Sequence, residues 1–446
     1  MAARVPVIPL VVDINPDLNA ELERRYGTTY ELVEIPERRL VSYQREILDM
    51  AHGRALWSVA AQERWRLRDR EATNSLARVK RWTKKTIALP LANTSVIELL
   101  SRMERLSSRV LRTTESYLDL FRQIRPALVF NTSHVHSRNS IQAVQAASWL
   151  RIPTVAFVFS WDNLTSQGRV IVPYDHYLVW NEQIAAQLRE IYPRIPPNRV
   201  HITGTPQFDF HFRSELYWSR EKFCALVGAD PARPIVVYTT GMPNHMPGEP
   251  AIVEDIADRL LHLEDLGPPQ LLVRVYPKDR SGRFEEMRLR RRDVLFPEIP
   301  WVSRWHTPLP EDMALFTNTL RHAAIGMNVA STVSLELAMF NRPVINIAYN
   351  PPGLAPEEID YARYYQFDHY RPVAESGAVE IARSGDQLEA MVRNALERPE
   401  EGTRDRRALL QQMFGDTLDG RSAERVACRL LEIHRQATEP GHRPVD

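Results

Sequence analysis

The chain has 446 residues, more than one core usually organises, so two domains of about 200 residues each are expected. With 44% hydrophobic and 25% charged residues the composition is that of an ordinary globular protein, and 57 Lys and Arg against 56 Asp and Glu exclude a nucleic-acid binder driven by overall charge. The two cysteines, Cys224 and Cys428, fit neither a zinc pattern nor a disulfide framework and suit a reducing, cytoplasmic setting; no run of about 18 apolar residues predicts a membrane-spanning helix.

The opening stretch to Asp13, with one basic residue and an apolar run broken by prolines, reads as an edge or first strand rather than a signal peptide. Residues 76–90 hold five basic residues, no acid, and interleaved Trp82, Ile87 and Leu89. That composition suits an anionic membrane surface or a lipid-linked acceptor; the plainer explanation is a solvated face beside a loop. Over 96–121 the spacing predicts an amphipathic helix with Val96, Leu99, Leu100, Met103, Leu106 and Val110 packed on the first sheet, opened by a capping box from Ser95 to Glu98.

From residue 126 short apolar runs alternate with helical patterns: 127–130, 153–159, 177–180 and 200–203 read as strands apolar on both faces, which requires a parallel sheet covered by helices. A second series follows, with strands at 234–238, 271–276, 301–303, 323–327 and 343–347 and helices at 251–264, 311–321 and 332–340. Two such series imply two doubly wound domains joined near Phe208 to Trp218, with the active site in the cleft between them. Two terminal helices are expected at 405–414 and 421–437.

Candidate chemistry sits at strand ends. Asn328-Val-Ala-Ser-Thr332 follows a strand and opens a helix, so N–H groups near Ser331 and Thr332 would meet a phosphate, and Glu336 one turn on would accept from ribose hydroxyls; helix capping uses the same groups. Gly241 and His245 lie in the loop after the first strand of the second series. Arg274 and Lys278 offer cations for a diphosphate, and Trp305 and His306 a planar surface for a nucleobase. In the first series, Ser160-Trp-Asp-Asn-Leu-Thr-Ser-Gln-Gly-Arg169 ends a strand with dense polar residues. Asp162 is a candidate general base, with Trp161, Asn163 and Arg169 toward an acceptor; the alternative is an Asx-turn that shapes the loop. His134 and His136, one strand earlier, are the reserve bases, and no third ligand at zinc spacing accompanies them. No Asp-x-Asp pair follows a strand, so no metal site and no cofactor are expected.

Several stretches occur together: Ser160-Trp-Asp-Asn-Leu-Thr-Ser-Gln-Gly168, Leu178-Val-Trp-Asn181, Val200-His-Ile-Thr-Gly-Thr-Pro-Gln-Phe-Asp209, Ala330-Ser-Thr with Glu336 and Arg342-Pro-Val344, and Asp419-Gly-Arg-Ser-Ala-Glu-Arg425. In this order they resemble the GT-B nucleotide-dependent transferases of bacterial surface polysaccharide synthesis, including the CDP-glycerol glycerophosphotransferase-like group. The resemblance implies an α/β chain of two doubly wound Rossmann-like domains facing across a cleft. Residues 1–208 would bind a glycan or lipid-linked acceptor, 209–400 a nucleotide-sugar or CDP-polyol donor, and 401–446 would form helices crossing back to the first domain. It also implies Ser331, Thr332 and Glu336 at the donor phosphates and ribose. The expected location is cytoplasmic, with residues 76–90 the candidate for peripheral attachment to the inner face of the membrane. One departure is Arg274-Val-Tyr-Pro-Lys278, where many members carry Arg-Pro-His-Pro. Rival readings are a non-hydrolysing UDP-sugar 2-epimerase, which shares the layout, and a non-catalytic GT-B glycan-binding module.

Overall fold

The computed structural model describes residues 5–11, 16–31, 38–111, 114–133, 138–166, 168–263, 266–302, 307–354 and 359–438. The chain forms two compact units, one made of residues 1–205 with 421–446 and the other of residues 206–420.

In the first unit β1 (Leu10–Val11) pairs in parallel with β2 (Tyr30–Glu31). A separate parallel sheet holds β3 (Val129–Asn131), β4 (Thr154–Phe157), β5 (His176–Val179) and β6 (Val200–Ile202) in chain order. The interior strand β4 is buried along its whole length, as its two-sided apolar pattern requires. Helix Arg138–Trp149 packs Ala143, Ala146 and Ala147 against Tyr117 and Phe121 of helix Glu115–Ile124. Helix Glu182–Ile191 starts where the Asn181 side chain accepts from the Ile184 N–H at 2.9 Å.

Ahead of the sheet come helices Arg39–Leu56, Val59–Glu71, Ser75–Ala88 and Thr94–Val110. The last of these corrects the sequence expectation. Leu99, Met103, Leu106 and Val110 face solvent, and the inward positions are Ile97, Ser101, Glu104 and Ser108. The reason is an ion cluster: buried Glu104 accepts from Arg45 Nε at 2.9 Å and from Arg169, and Ser108 Oγ donates to Gln145 at 3.0 Å. Turning the apolar stripe inward would strand that carboxylate. The helix is capped by Asn93, whose side chain accepts from Ser95 N and Val96 N, and not by the expected capping box.

The second unit contains β7 (Ile235–Thr239), β8 (Gln270–Arg274), β9 (Val294–Leu295), β10 (Trp301–Val302), β11 (Thr307–Pro308), β12 (Ile325–Asn328), β13 (Val344–Ile347) and β14 (Glu380–Ala382). Six of them form one parallel sheet in the order β14-β13-β12-β7-β8-β9, the doubly wound arrangement in which the first strand of the unit lies at the centre. The expected strand at 301–303 is not a member: β10 pairs antiparallel with β11. β9 and β14, too short to show periodicity, complete the edges. Helix Val333–Met339 lies close on β12, because a Cβ at Gly326 would stand 2.0 Å from Leu337 Cδ1.

The return to the first unit starts at Arg421 and not at 401. Helix Thr403–Phe414 stays in the second unit, where the buried Arg406 donates to Asn341 Oδ1 at 2.9 Å and Phe414 meets Phe208 edge-on at 5.5 Å. Helix Ser422–Thr438 belongs to the first unit: Val426, Leu430 and Ile433 are buried, and Arg425 Nε donates to the Thr203 carbonyl at 2.9 Å.

Candidate functional site

Strand order reverses between β7 and β12, and an open α/β sheet offers a ligand crevice outside the carboxyl ends at such a point. The turn after β12 is built from below. Asn328 is fully buried; its Oδ1 accepts from Ser331 N at 3.0 Å, Ser334 Oγ at 3.2 Å and Asn346 Nδ2 at 3.0 Å. The Tyr370 hydroxyl bridges Ser334 and Asn346 in turn. Asn328 thus holds the turn from below through its Oδ1. Ala330 carries φ +42°, a left-handed conformation that costs a side-chain-bearing residue about 1–2 kcal/mol. Ser331 and Thr332 are half-buried, and Ser331 Oγ accepts from Val333 N at 3.3 Å.

One turn into the helix, Glu336 is nearly covered. Its Oε1 lies 2.9 Å from His211 Nε2, and His211 Nδ1 lies 3.1 Å from Thr317 Oγ1. At the end of β8 the buried Arg274 places Nη2 at 2.9 and 3.0 Å from the two Asp312 oxygens, with the Phe316 ring 4.6 Å from its guanidinium carbon. Arg274 Nη1 is buried without a hydrogen-bond partner among the described residues. Burial draws this guanidinium below its ordinary range while Asp312 opposes the shift, and burial raises Asp312 against the pull of Arg274. Phe316 also stands 5.7 Å from the His211 ring, so Arg274 and Glu336 approach one packed cluster. His211 and Asp312 were not anticipated. Their signals were slight: His211 lies two residues past the Gly204-Thr-Pro-Gln-Phe-Asp209 stretch, and Asp312 is an acid in the first turn of helix Pro310–His322.

The loop after β7 departs from expectation. The Gly241 N–H donates to both Glu249 oxygens at 2.9 and 3.0 Å and is not offered to a ligand. Glycine is needed there because a Cβ would stand 2.7 Å from Met246 Cγ. Glu249 also accepts from Tyr238 at 2.9 Å and Arg283 at 2.8 Å, and burial pushes its carboxyl up to about 7 despite that cation. His245 is half-buried, with its carbonyl accepting from Tyr364 at 3.0 Å, and Lys278 is exposed just beyond β8. Trp305 and His306 lie outside the described residues, as do His134 and His136.

In the first unit Asp162 is half-buried after β4. It accepts from Ser160 Oγ and from Ser166 Oγ at 2.9 Å, and its carbonyl accepts from Ser166 N at 2.9 Å. Asn163 Oδ1 accepts from Ser160 N at 3.2 Å, the loop-shaping alternative. Asn163 and Trp161 are buried beneath this loop. Arg169 is a buried ion-pair hub, donating to Ser101 Oγ at 3.1 Å and to Glu104, with Nε 3.2 Å from Asp49. It lies on the wall of a cavity of about 900 Å³ together with His52, Arg105, Tyr174 and Tyr192.

No family model matches the sequence, and no curated protein does. Among solved structures the chain is similar to S. aureus MnaA in a co-structure with UDP, at 13% identity and TM-score 0.50, covering 76% of this chain and 84% of that one. It is similar to a putative UDP-N-acetylglucosamine 2-epimerase from Listeria monocytogenes at 14% identity and TM-score 0.49, covering 79% and 83%. The wall teichoic acid polymerase TagF aligns at 11% identity and TM-score 0.41, covering 77% and 99%. The likeness to the S. aureus protein is one of fold: this chain is an α/β protein of the GT-B class.

Proposed function

We propose that this protein is a GT-B glycosyltransferase that moves a sugar or polyol phosphate from a nucleotide-activated donor to a glycan or lipid-linked acceptor in bacterial surface polysaccharide synthesis. The observation that carries the reading is the β12 turn at the topological switch point, where the strained Ala330 presents Ser331 and Thr332 beside Glu336 and the half-satisfied Arg274. Donor phosphates would take the Thr332 N–H and the Ser331 and Thr332 hydroxyls, with Arg274 and Lys278 as the nearby cations, and Glu336 Oε2 would accept from a ribose hydroxyl. The co-structure of the S. aureus neighbour with UDP supports a nucleotide as the ligand. Charge on the leaving nucleotide is met by these groups, so EDTA is expected to leave turnover unchanged.

The acceptor would be held by the first unit, with Asp162, His134 or His136 taking the hydroxyl proton. Asp162→Asn is expected to keep donor binding and lose about 10²–10⁴-fold in turnover; normal turnover there with loss in His134→Ala moves the base to the histidine.

Thermal unfolding with UDP, CDP, UDP-N-acetylglucosamine and CDP-glycerol tests the donor site, since a ligand at about 100 times its dissociation constant adds about 2.7 kcal/mol. The stabilisation should shrink in Ser331→Ala and Glu336→Gln; no stabilisation by any of the four sinks the reading. Nucleotide release that requires an acceptor marks a transferase, whereas interconversion of a free nucleotide sugar would make the protein an epimerase instead.

A further inference from the structure

Two helices of the first unit show solvent the side that helices usually bury. On helix Ser75–Ala88, Leu76 and Trp82 are 65% and 68% exposed, with Val79 exposed between them at helical spacing. On helix Thr94–Val110, Leu106 and Val110 are 60% and 70% exposed, in line with Met103 and Leu99 about one and two turns before Leu106. Single exposed apolar residues are ordinary, but continuous stripes mark an interaction surface. The two helices belong to one cluster, because Ala88 and Ile97 pack with Ile47 and Ala51 of helix Arg39–Leu56. On the first of them Arg81 and Lys85 pair with Asp69, and Lys84 with Glu46, across to the neighbouring helices.

The charge beside the stripes identifies the partner. Helix Ser75–Ala88 contains five basic residues and no acid, and the exposed Arg78 and Lys80 flank its apolar side. Arg102, paired with Glu98 at 3.2 Å, and Arg109 stand exposed on one side of the second stripe, Arg109 over the Trp149 ring at 5.6 Å. Apolar side chains including a tryptophan, bordered by cations, match the headgroup boundary of an anionic bilayer. A second copy set against the same face would bring like charges together. Among the described residues no helix is long and apolar enough to cross a membrane, so attachment through this face would be interfacial.

We propose that the outward faces of helices Ser75–Ala88 and Thr94–Val110 form a docking surface for an anionic lipid bilayer. Trp82, Leu99 and Leu106 enter the acyl boundary, and Arg78, Lys80, Arg102 and Arg109 meet lipid phosphates. This does not rest on the transferase reading, and its test needs no turnover. The full chain is sedimented with vesicles of phosphatidylcholine alone or mixed with phosphatidylglycerol. Binding to the mixed vesicles, weakened by salt, is expected. Leu99→Ser with Leu106→Ser should reduce partitioning about a hundredfold, and Lys80→Glu with Arg102→Glu about tenfold or more, with unchanged circular dichroism because all four side chains are exposed. Absence of binding to the mixed vesicles overturns the proposal. So does wild-type partitioning of both variants, or a wild-type dimer in sedimentation velocity that the Leu99→Ser, Leu106→Ser pair dissolves, which would assign the face to a second copy.

Discussion

Individual side chains at the candidate site are fixed by partners far away in sequence, and this makes their loss costly in a specific way. Arg274 and Asp312 neutralise each other in a place where neither could stand alone. Arg274→Met should cost about 3–5 kcal/mol because it leaves a buried carboxylate unpaired, and adding Asp312→Leu should recover much of it. Urea denaturation of the two single variants and the double variant checks this; additive losses would mean that the pair is not coupled. His52 supplies a pH dependence. Burial first, then Arg169 and Arg64, holds its ring near 4, against an ordinary value of 6.5. Below 6.5 the unfolded chain takes up a proton that the folded chain refuses until about 4, so stability falls as pH drops through that window, by about 3 kcal/mol. His176 and His201 are shifted the same way, chiefly by burial. Replacing His52 by Gln should flatten the slope of stability between pH 6.5 and 4.

At the scale of elements, packing between a strand and its following helix sets the geometry of the turn they share. Gly326→Ala puts a methyl where Leu337 already lies, 2.0 Å away, so helix Val333–Met339 must shift from β12. We expect a loss of about 1–3 kcal/mol in stability, and weaker nucleotide binding measured by calorimetry; unchanged affinity would show that the turn at Ser331 tolerates helix displacement. Elements of this kind were legible in the sequence, since strands buried on both faces leave continuous apolar runs at 155–158 and 235–238. Orientation was not. The 3.6-residue periodicity of Thr94–Val110 announces an apolar face but not where it turns, and here the inward side was decided by Glu104 meeting Arg45 and Arg169 from distant segments. The same holds at the candidate site. Ser331 and Glu336 could be placed by strand-turn-helix chemistry, whereas the sequestration of the Gly241 amide by Glu249 and the pairing of Glu336 with His211 follow from tertiary contacts.

Across the whole molecule, each unit has its own core, and two such cores need not melt together. Calorimetry should resolve two transitions, of which nucleotide raises only that of the unit holding Arg274 and Glu336; an equal rise in both would place nucleotide contacts in the first unit as well. The helix Ser422–Thr438 adds a constraint of another kind. It supplies Val426, Leu430 and Ile433 to a unit whose other residues were made more than two hundred positions earlier. On the ribosome, the stretch 206–420 is therefore fully synthesised while the unit that began first still lacks one of its helices. The earlier-made half should be the last to finish folding, and during that interval it is the part of the nascent chain most in need of a chaperone.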